Sequence, residues 1–279
     1  MDKSRIKKHR NRNDYALAKN GIWVRDFTKP LIKGVDINNM ISIPDMQIML
    51  ENELKNHDKL YQKIETEDFG YDKIVIIGDG YKNEEKQKLI ETLPNDVLVI
   101  GVNKIFAAWN VPRRLNYYVV NNPYEECLFY YPPVVKSWPR CVASTRTYPD
   151  FLKNYRGTVY LYNPVTDEIY SGTRTESNYF IDDYRNPVCA AICLAYKFKV
   201  KKLMLMSLLD FYEKERPGTE KIKDLWLYPQ QKAAHSIIDA NLYWLQKAKI
   251  SVVYNDNGLD YEFATYINDS DVKGYFNAK

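Results

Sequence analysis

The chain has 279 residues, 45% of them hydrophobic and 27% charged, with a formal net charge of +4. That length accommodates one large core or a core with an appendage, and the composition excludes a disordered or collagen-like chain. Lys3, Arg5, Lys7, Lys8, Arg10 and Arg12 crowd the first dozen residues, so the remainder is close to neutral, which argues against a nucleic-acid-binding face on the folded body.

Residues 1–14 read as a disordered basic arm able to touch nucleic acid, an acidic partner or a membrane surface. Residues 15–70 read as a helical lead-in, with aromatic anchors at Tyr15, Trp23 and Phe27. Met46, Met49, Leu50, Leu54, Leu60, Tyr61 and Ile64 follow at amphipathic-helix spacing. From Lys73 the pattern changes. The run 73–78 is apolar and closes on Gly78, and runs of the same kind follow at 97–102 and 115–120, as expected of parallel strands buried on both faces. Further strands are expected at 140–144, 158–162, 202–207 and 250–254, and helices at 187–198 and 229–247. The alternation predicts an α/β, Rossmann-like open parallel sheet with helices on both faces over 71–270, binding its ligand at the carboxyl ends of the strands. The tyrosine- and proline-rich stretch 124–183 is the least regular part, and its loops read as a lid or a partner surface.

Four cysteines, Cys127, Cys141, Cys189 and Cys193, form no Cys-x-x-Cys pair, so buried reduced thiols are expected in place of a metal knuckle. No signal-peptide stretch and no apolar run of about 18 residues occurs, which predicts a cytoplasmic protein without a transmembrane segment.

Candidate site residues collect at the expected carboxyl edge. Gly78-Asp79-Gly80 follows the first buried strand, where glycines let the backbone approach a ligand closely. It lacks the third glycine of the dinucleotide fingerprint and the Gly-Lys-Ser/Thr ending of a P-loop. Asp79 is suited to accept hydrogen bonds from ribose hydroxyls or a base amino group. Arg185 adjoins a helix start, with Asn186 as N-cap and Pro187 at the first helical position, an arrangement suited to a phosphate or carboxylate. Asp210 and Tyr212 follow the strand 202–207. His9 lies in the arm and His57 in the lead-in, so His235 is the histidine placed to act as a general base.

These segments together resemble the bacterial lipo-oligosaccharide sialyltransferases. More remotely they resemble the group containing archaeal 6-hydroxymethylpterin diphosphokinase and the flagellin-modifying motility accessory factors. The likeness runs through Ile74–Asn103 with its glycine turn and Leu93-Pro94-Asn95-Asp96, Tyr118–Pro123 with its Asn122-Pro123 ending, Arg185–Tyr212, and His235-Ser236, and it spans 73–254. It implies transfer of a sugar from a CMP-sugar or related nucleotide donor to a hydroxyl of an acceptor glycan, with no metal or other cofactor. By the same resemblance His235 deprotonates the acceptor and Tyr212 stabilises the departing phosphate. Gly78, Asp79, Gly80, Asn103, Asn122, Arg185 and Asp210 surround the nucleotide. The chain departs from the family where Gly-Asn-Gly-Pro-Ser is Gly78-Asp79-Gly80-Tyr81-Lys82 and where Thr-Ser-Gly is Pro187-Val188-Cys189. A second leaving-group tyrosine is replaced by Gly218, with Arg216 nearby. Two alternatives stand beside this reading. One is a pterin-type diphosphokinase using ATP and a divalent cation held by Asp79 and Asp210; the other is a non-catalytic interaction protein that keeps the fold.

Overall fold

The computed structural model describes residues 15–17, 23–25, 43–57, 62–63, 70–78, 80, 83–111, 113, 115–131, 137–164, 180–181, 186–208, 228–255 and 261–278. The basic arm lies outside these residues.

Two short strands, β1 (Tyr15–Leu17) and β2 (Trp23–Arg25), pair antiparallel. Helix α1 (Ile43–His57) and the two-residue β3 (Gln62–Lys63) follow. The core then alternates: β4 (Lys73–Ile77), α2 (Asn83–Glu91), β5 (Leu98–Val102), α3 (Ile105–Ala108) and β6 (Tyr117–Val120). A 3-10 helix over Glu125–Tyr130 leads to β7 (Arg140–Ser144), α4 (Pro149–Asn154), β8 (Val159–Pro164) and β9 (Phe180–Ile181). The chain continues through α5 (Pro187–Lys197), β10 (Lys202–Met206), α6 (Tyr228–Lys247), β11 (Ser251–Tyr254), β12 (Thr265–Tyr266) and α7 (Asp269–Asn277). Among the described residues ten strands form one sheet in the order β12-β11-β10-β4-β5-β6-β7-β8-β3, with β9 paired to β8. Every pairing in it is parallel.

The strands are apolar without alternation because both faces are covered. Successive side chains point to opposite sides, and the core divides accordingly. Ile74, Ile76, Ile100, Val119, Leu203 and Leu205 pack under α5 and α6. Val75, Ile77, Val99, Val120, Met204 and Met206 pack against residues of α2, α3, α4 and α7. The expected doubly covered parallel sheet is therefore present.

Local chemistry sets the element ends. Asn186 accepts a hydrogen bond from the Val188 amide at 2.8 Å and Pro187 opens α5, as the sequence predicts. The guanidinium of Arg113 donates to the carbonyls of Ile90 (3.2 Å), Leu93 (2.8 Å), Pro94 (2.9 Å) and Val97 (2.6 Å), tying the last turn of α2 to the loop that leads into β5.

The tyrosine-rich stretch differs from the expectation. Its described residues through Pro164 mostly form elements packed into the core, although Tyr124 and Phe129 are exposed. Tyr160 and Tyr162 are fully buried on β8, as are Tyr117 and Tyr118 on β6 just before the stretch. Tyr131 stacks on Phe151 at 4.7 Å, and Trp138 meets Tyr155 edge-on at 4.8 Å. Tyr155 donates to the Pro139 carbonyl at 2.7 Å. Tyr155 thus buries its ring as a phenylalanine would while its hydroxyl reaches a backbone acceptor. Cys127, Cys141 and Cys189 are buried thiols outside any disulfide, and Cys193 is partly buried.

Candidate functional site

From β4 the chain steps through β5, β6, β7 and β8 on one side, and it returns to place β10 and β11 on the other. The order reverses between β4 and β10, which is where an open α/β sheet forms a ligand crevice beyond its carboxyl ends. Because each crossover helix runs back against its strands, α2, α5 and α6 begin at that same edge.

The edge carries short polar residues and glycine side by side, with Asn255 after β11, Ser207 after β10, Gly78 after β4, Asn103 after β5 and Asn121 after β6. The Gly78 amide donates to the Met206 carbonyl at 3.1 Å and the Gly80 amide to the Ser207 carbonyl at 2.9 Å, so the turn after β4 is pinned to the end of β10. A Cβ on Gly78 would stand 2.6 Å from the Ser207 oxygen and 3.1 Å from Leu208 Cα. Glycine is required here by close approach of two backbones. Asn103 and Ser207 both hold positive φ, 51° and 49°, and such left-handed residues turn the chain sharply as it leaves a strand.

Asn122 has a built role. Its Nδ2 donates to the Tyr130 hydroxyl at 2.7 Å and to Glu126 at 3.1 Å, and its Oδ1 accepts from the Tyr124 amide at 2.8 Å. Both ends of the amide hold the 3-10 segment against the end of β6. Asp79, Arg185, Asp210 and Tyr212 lie outside the described residues, as does the side chain of His235, although helix α6 contains its backbone. Their described chain neighbours Gly78, Gly80, Asn186 and Leu208 are at the carboxyl edge. Among the described residues no group of three or more His, Cys, Asp or Glu could hold a metal ion; both acids proposed for a cation, Asp79 and Asp210, fall outside that set.

The sequence reading misses Ser207, Asn255 and Lys86. The first two carry a modest signal, a small polar residue closing an apolar run. Lys86 carries none: its buried Nζ donates to Asn255 Oδ1 at 2.6 Å and to Asp269 Oδ1 at 2.8 Å, joining α2 to chain more than 160 residues away. No helix among the described residues is long and apolar enough to cross a membrane.

Fold and edge together define a doubly covered α/β protein with a topological switch point between β4 and β10. No protein-family model matches the sequence, and no curated protein matches it either. Among solved structures the chain is similar to the MAf glycosyltransferase from Magnetospirillum magneticum AMB-1, with a TM-score of 0.56 and 13% identity over 90% of this chain. The chain spans 44% of that protein's length. At this identity the likeness is one of fold.

Proposed function

We propose that the chain is a glycosyltransferase-like enzyme that binds a nucleotide sugar at the carboxyl edge between β10 and β5 and transfers the sugar to a hydroxyl acceptor. The observation that carries this reading is the switch-point edge, with the glycine turn pinned against β10, in a fold shared with a glycosyltransferase. The donor is a CMP-sugar or a related nucleotide sugar. The acceptor oxygen attacks the anomeric carbon, the bond from that carbon to the phosphate oxygen breaks, and its electron pair leaves with the nucleotide. His235 takes the acceptor proton, and the Tyr212 hydroxyl donates a hydrogen bond to the phosphate oxygen as it gains charge. Arg185 holds an anionic group of the donor beside the start of α5. Asn103 and the turn 78–80 contact the nucleotide.

A thermal-shift panel of CMP, CDP, UDP, GDP, ATP and their sugars tests the ligand class, because a ligand that binds the folded state raises the melting temperature. A cytidine-selective shift is expected. A response to ATP with Mg²⁺ alone overturns the reading in favour of a diphosphokinase. For the chemistry, His235→Ala is expected to lower kcat by about 10² to 10⁴ with donor affinity retained. Tyr212→Phe is expected to cost about 10² or more. Undiminished transfer by His235→Ala removes that residue from the mechanism.

A further inference from the structure

Helix α1 is joined to the sheet by polar groups. Asn52 donates its Nδ2 to the carbonyls of Pro123 (2.8 Å) and Arg146 (3.2 Å). One turn later Asn56 donates to the carbonyls of Thr145 (2.9 Å) and Thr147 (2.7 Å). Between them Glu53 accepts from Arg146 Nε at 3.2 Å, and both side chains of this ion pair are buried, 3% and 6% exposed. Among the side chains described on α1, those of residues 47–56, Met49 is the one buried apolar group, Ile48 and Leu50 are half-buried, and Leu54 is 52% exposed. The four carbonyls that α1 reads belong to the chain leaving β6 and the chain leaving β7, both at the carboxyl edge.

Such a joint is a poor investment in stability. A buried ion pair gains little over an apolar contact of the same volume, because desolvation offsets most of the attraction. Two fully buried atoms at the joint, Asn56 Oδ1 and Thr145 Oγ1, have no hydrogen-bond partner, which costs more. What the joint supplies is direction, since each amide fixes two carbonyls and the carboxylate fixes the arginine between them. Neighbouring strands lie about 4.8 Å apart, so the ends of β6 and β7 stand roughly 10 to 15 Å from β4. That is the reach of a sugar attached to a nucleotide bound at the switch point.

We infer that α1 is a wall of the ligand site, and that Asn52, Glu53, Asn56 and Arg146 are positioning residues that hold the loops after β6 and β7 against the sugar portion of the donor. This rests on the nucleotide-sugar reading above. Two measurements on the full chain test it, using Asn56→Ala and the double variant Glu53→Leu/Arg146→Met, which removes both buried charges together. In hydrogen exchange, the amides of Asn121, Asn122, Tyr124 and residues 145–148 are expected to exchange about tenfold faster, with those of β4 and β5 unchanged. In titrations with CMP-N-acetylneuraminate and with CMP, the dissociation constant of the sugar nucleotide is expected to rise about fivefold or more while that of CMP stays within about twofold. If Asn56→Ala fails to fold, Asn52→Ala, which removes the other pair of amide contacts, carries the same comparison. Faster exchange across the whole sheet, or loosened loops with both affinities unchanged, overturns the inference and leaves α1 a structural prop. A wild-type protein that binds neither probe overturns the CMP-sugar reading on which this rests, a result separate from wild-type binding with unaltered variants.

Discussion

At the scale of single residues, the described strand ends at the carboxyl edge carry glycine and short polar side chains. Gly78 illustrates why. Its Cβ would collide with the backbone of Ser207, which cannot swing aside as a flexible side chain can, and Ser207 is already in a left-handed conformation. Gly78→Ala is therefore expected to push β4 and β10 apart at their carboxyl ends, costing about 1 to 3 kcal/mol in urea unfolding and weakening any nucleotide response in thermal shift. An unchanged midpoint would show that the two turns separate freely. Nothing in the run 73–78 distinguishes this glycine from an ordinary strand-to-helix turn. The requirement comes from Ser207, which is far away in sequence and adjacent in the sheet.

At the scale of elements, starts were more legible than stops. The start of α5 reads directly from Asn186-Pro187, because capping chemistry is local. The ends of α5 and α6 follow the pattern that usually employs glycine. Val200 donates back to the Ala195 carbonyl and Ile250 to that of Leu245, each across a left-handed residue, Lys199 with φ 60° and Lys249 with φ 61°. A lysine there pays a conformational cost that glycine does not. Both lysines are exposed, so Lys249→Gly is expected to raise stability by about 0.5 to 1 kcal/mol, the left-handed strain relieved less the added entropy of the unfolded chain. A lower denaturation midpoint would show that the Lys249 side chain makes a stabilising contact. Helices α4 and α7 escaped the sequence reading because each is short and drawn from polar or tyrosine-rich chain. Packing holds them: Phe151, Leu152, Val272 and Phe276 are buried against the sheet.

At the scale of the whole molecule, the tyrosines and thiols make the core sensitive to alkali. Burial raises the Cys127 thiol from 9.0 to about 12, and burial also pushes up Cys141 and the fully enclosed Tyr118 hydroxyl. The unfolded chain releases the Cys127 proton near pH 9, whereas the folded chain keeps it until about 12. Over that window the unfolded state binds fewer protons, so stability is complete below pH 9 and falls as pH rises, by up to about 1.4 kcal/mol per pH unit for each such group. Urea midpoints at pH 7, 9 and 10.5 are expected to decline beyond the ordinary solvent effect, and Cys127→Ala to decline less steeply. Equal slopes in the two proteins would place Cys127 in contact with water.

The sequence alone determined the class of fold. Continuous apolar runs of strand length separated by helical spacing can be satisfied only by a sheet covered on both faces, and that periodicity is a local property of the chain. It also located Gly78, Gly80 and Asn103 at strand ends, for the same reason. Only the tertiary structure decided what those ends face. The pinning of the β4 turn to Ser207, the Lys86 link to Asn255 and Asp269, the clasp of Asn122 on Tyr130 and the polar joint of α1 all depend on strand order. Strand order comes from crossovers between distant segments, where each contact is selected by packing across the sheet and leaves no periodic trace in either segment.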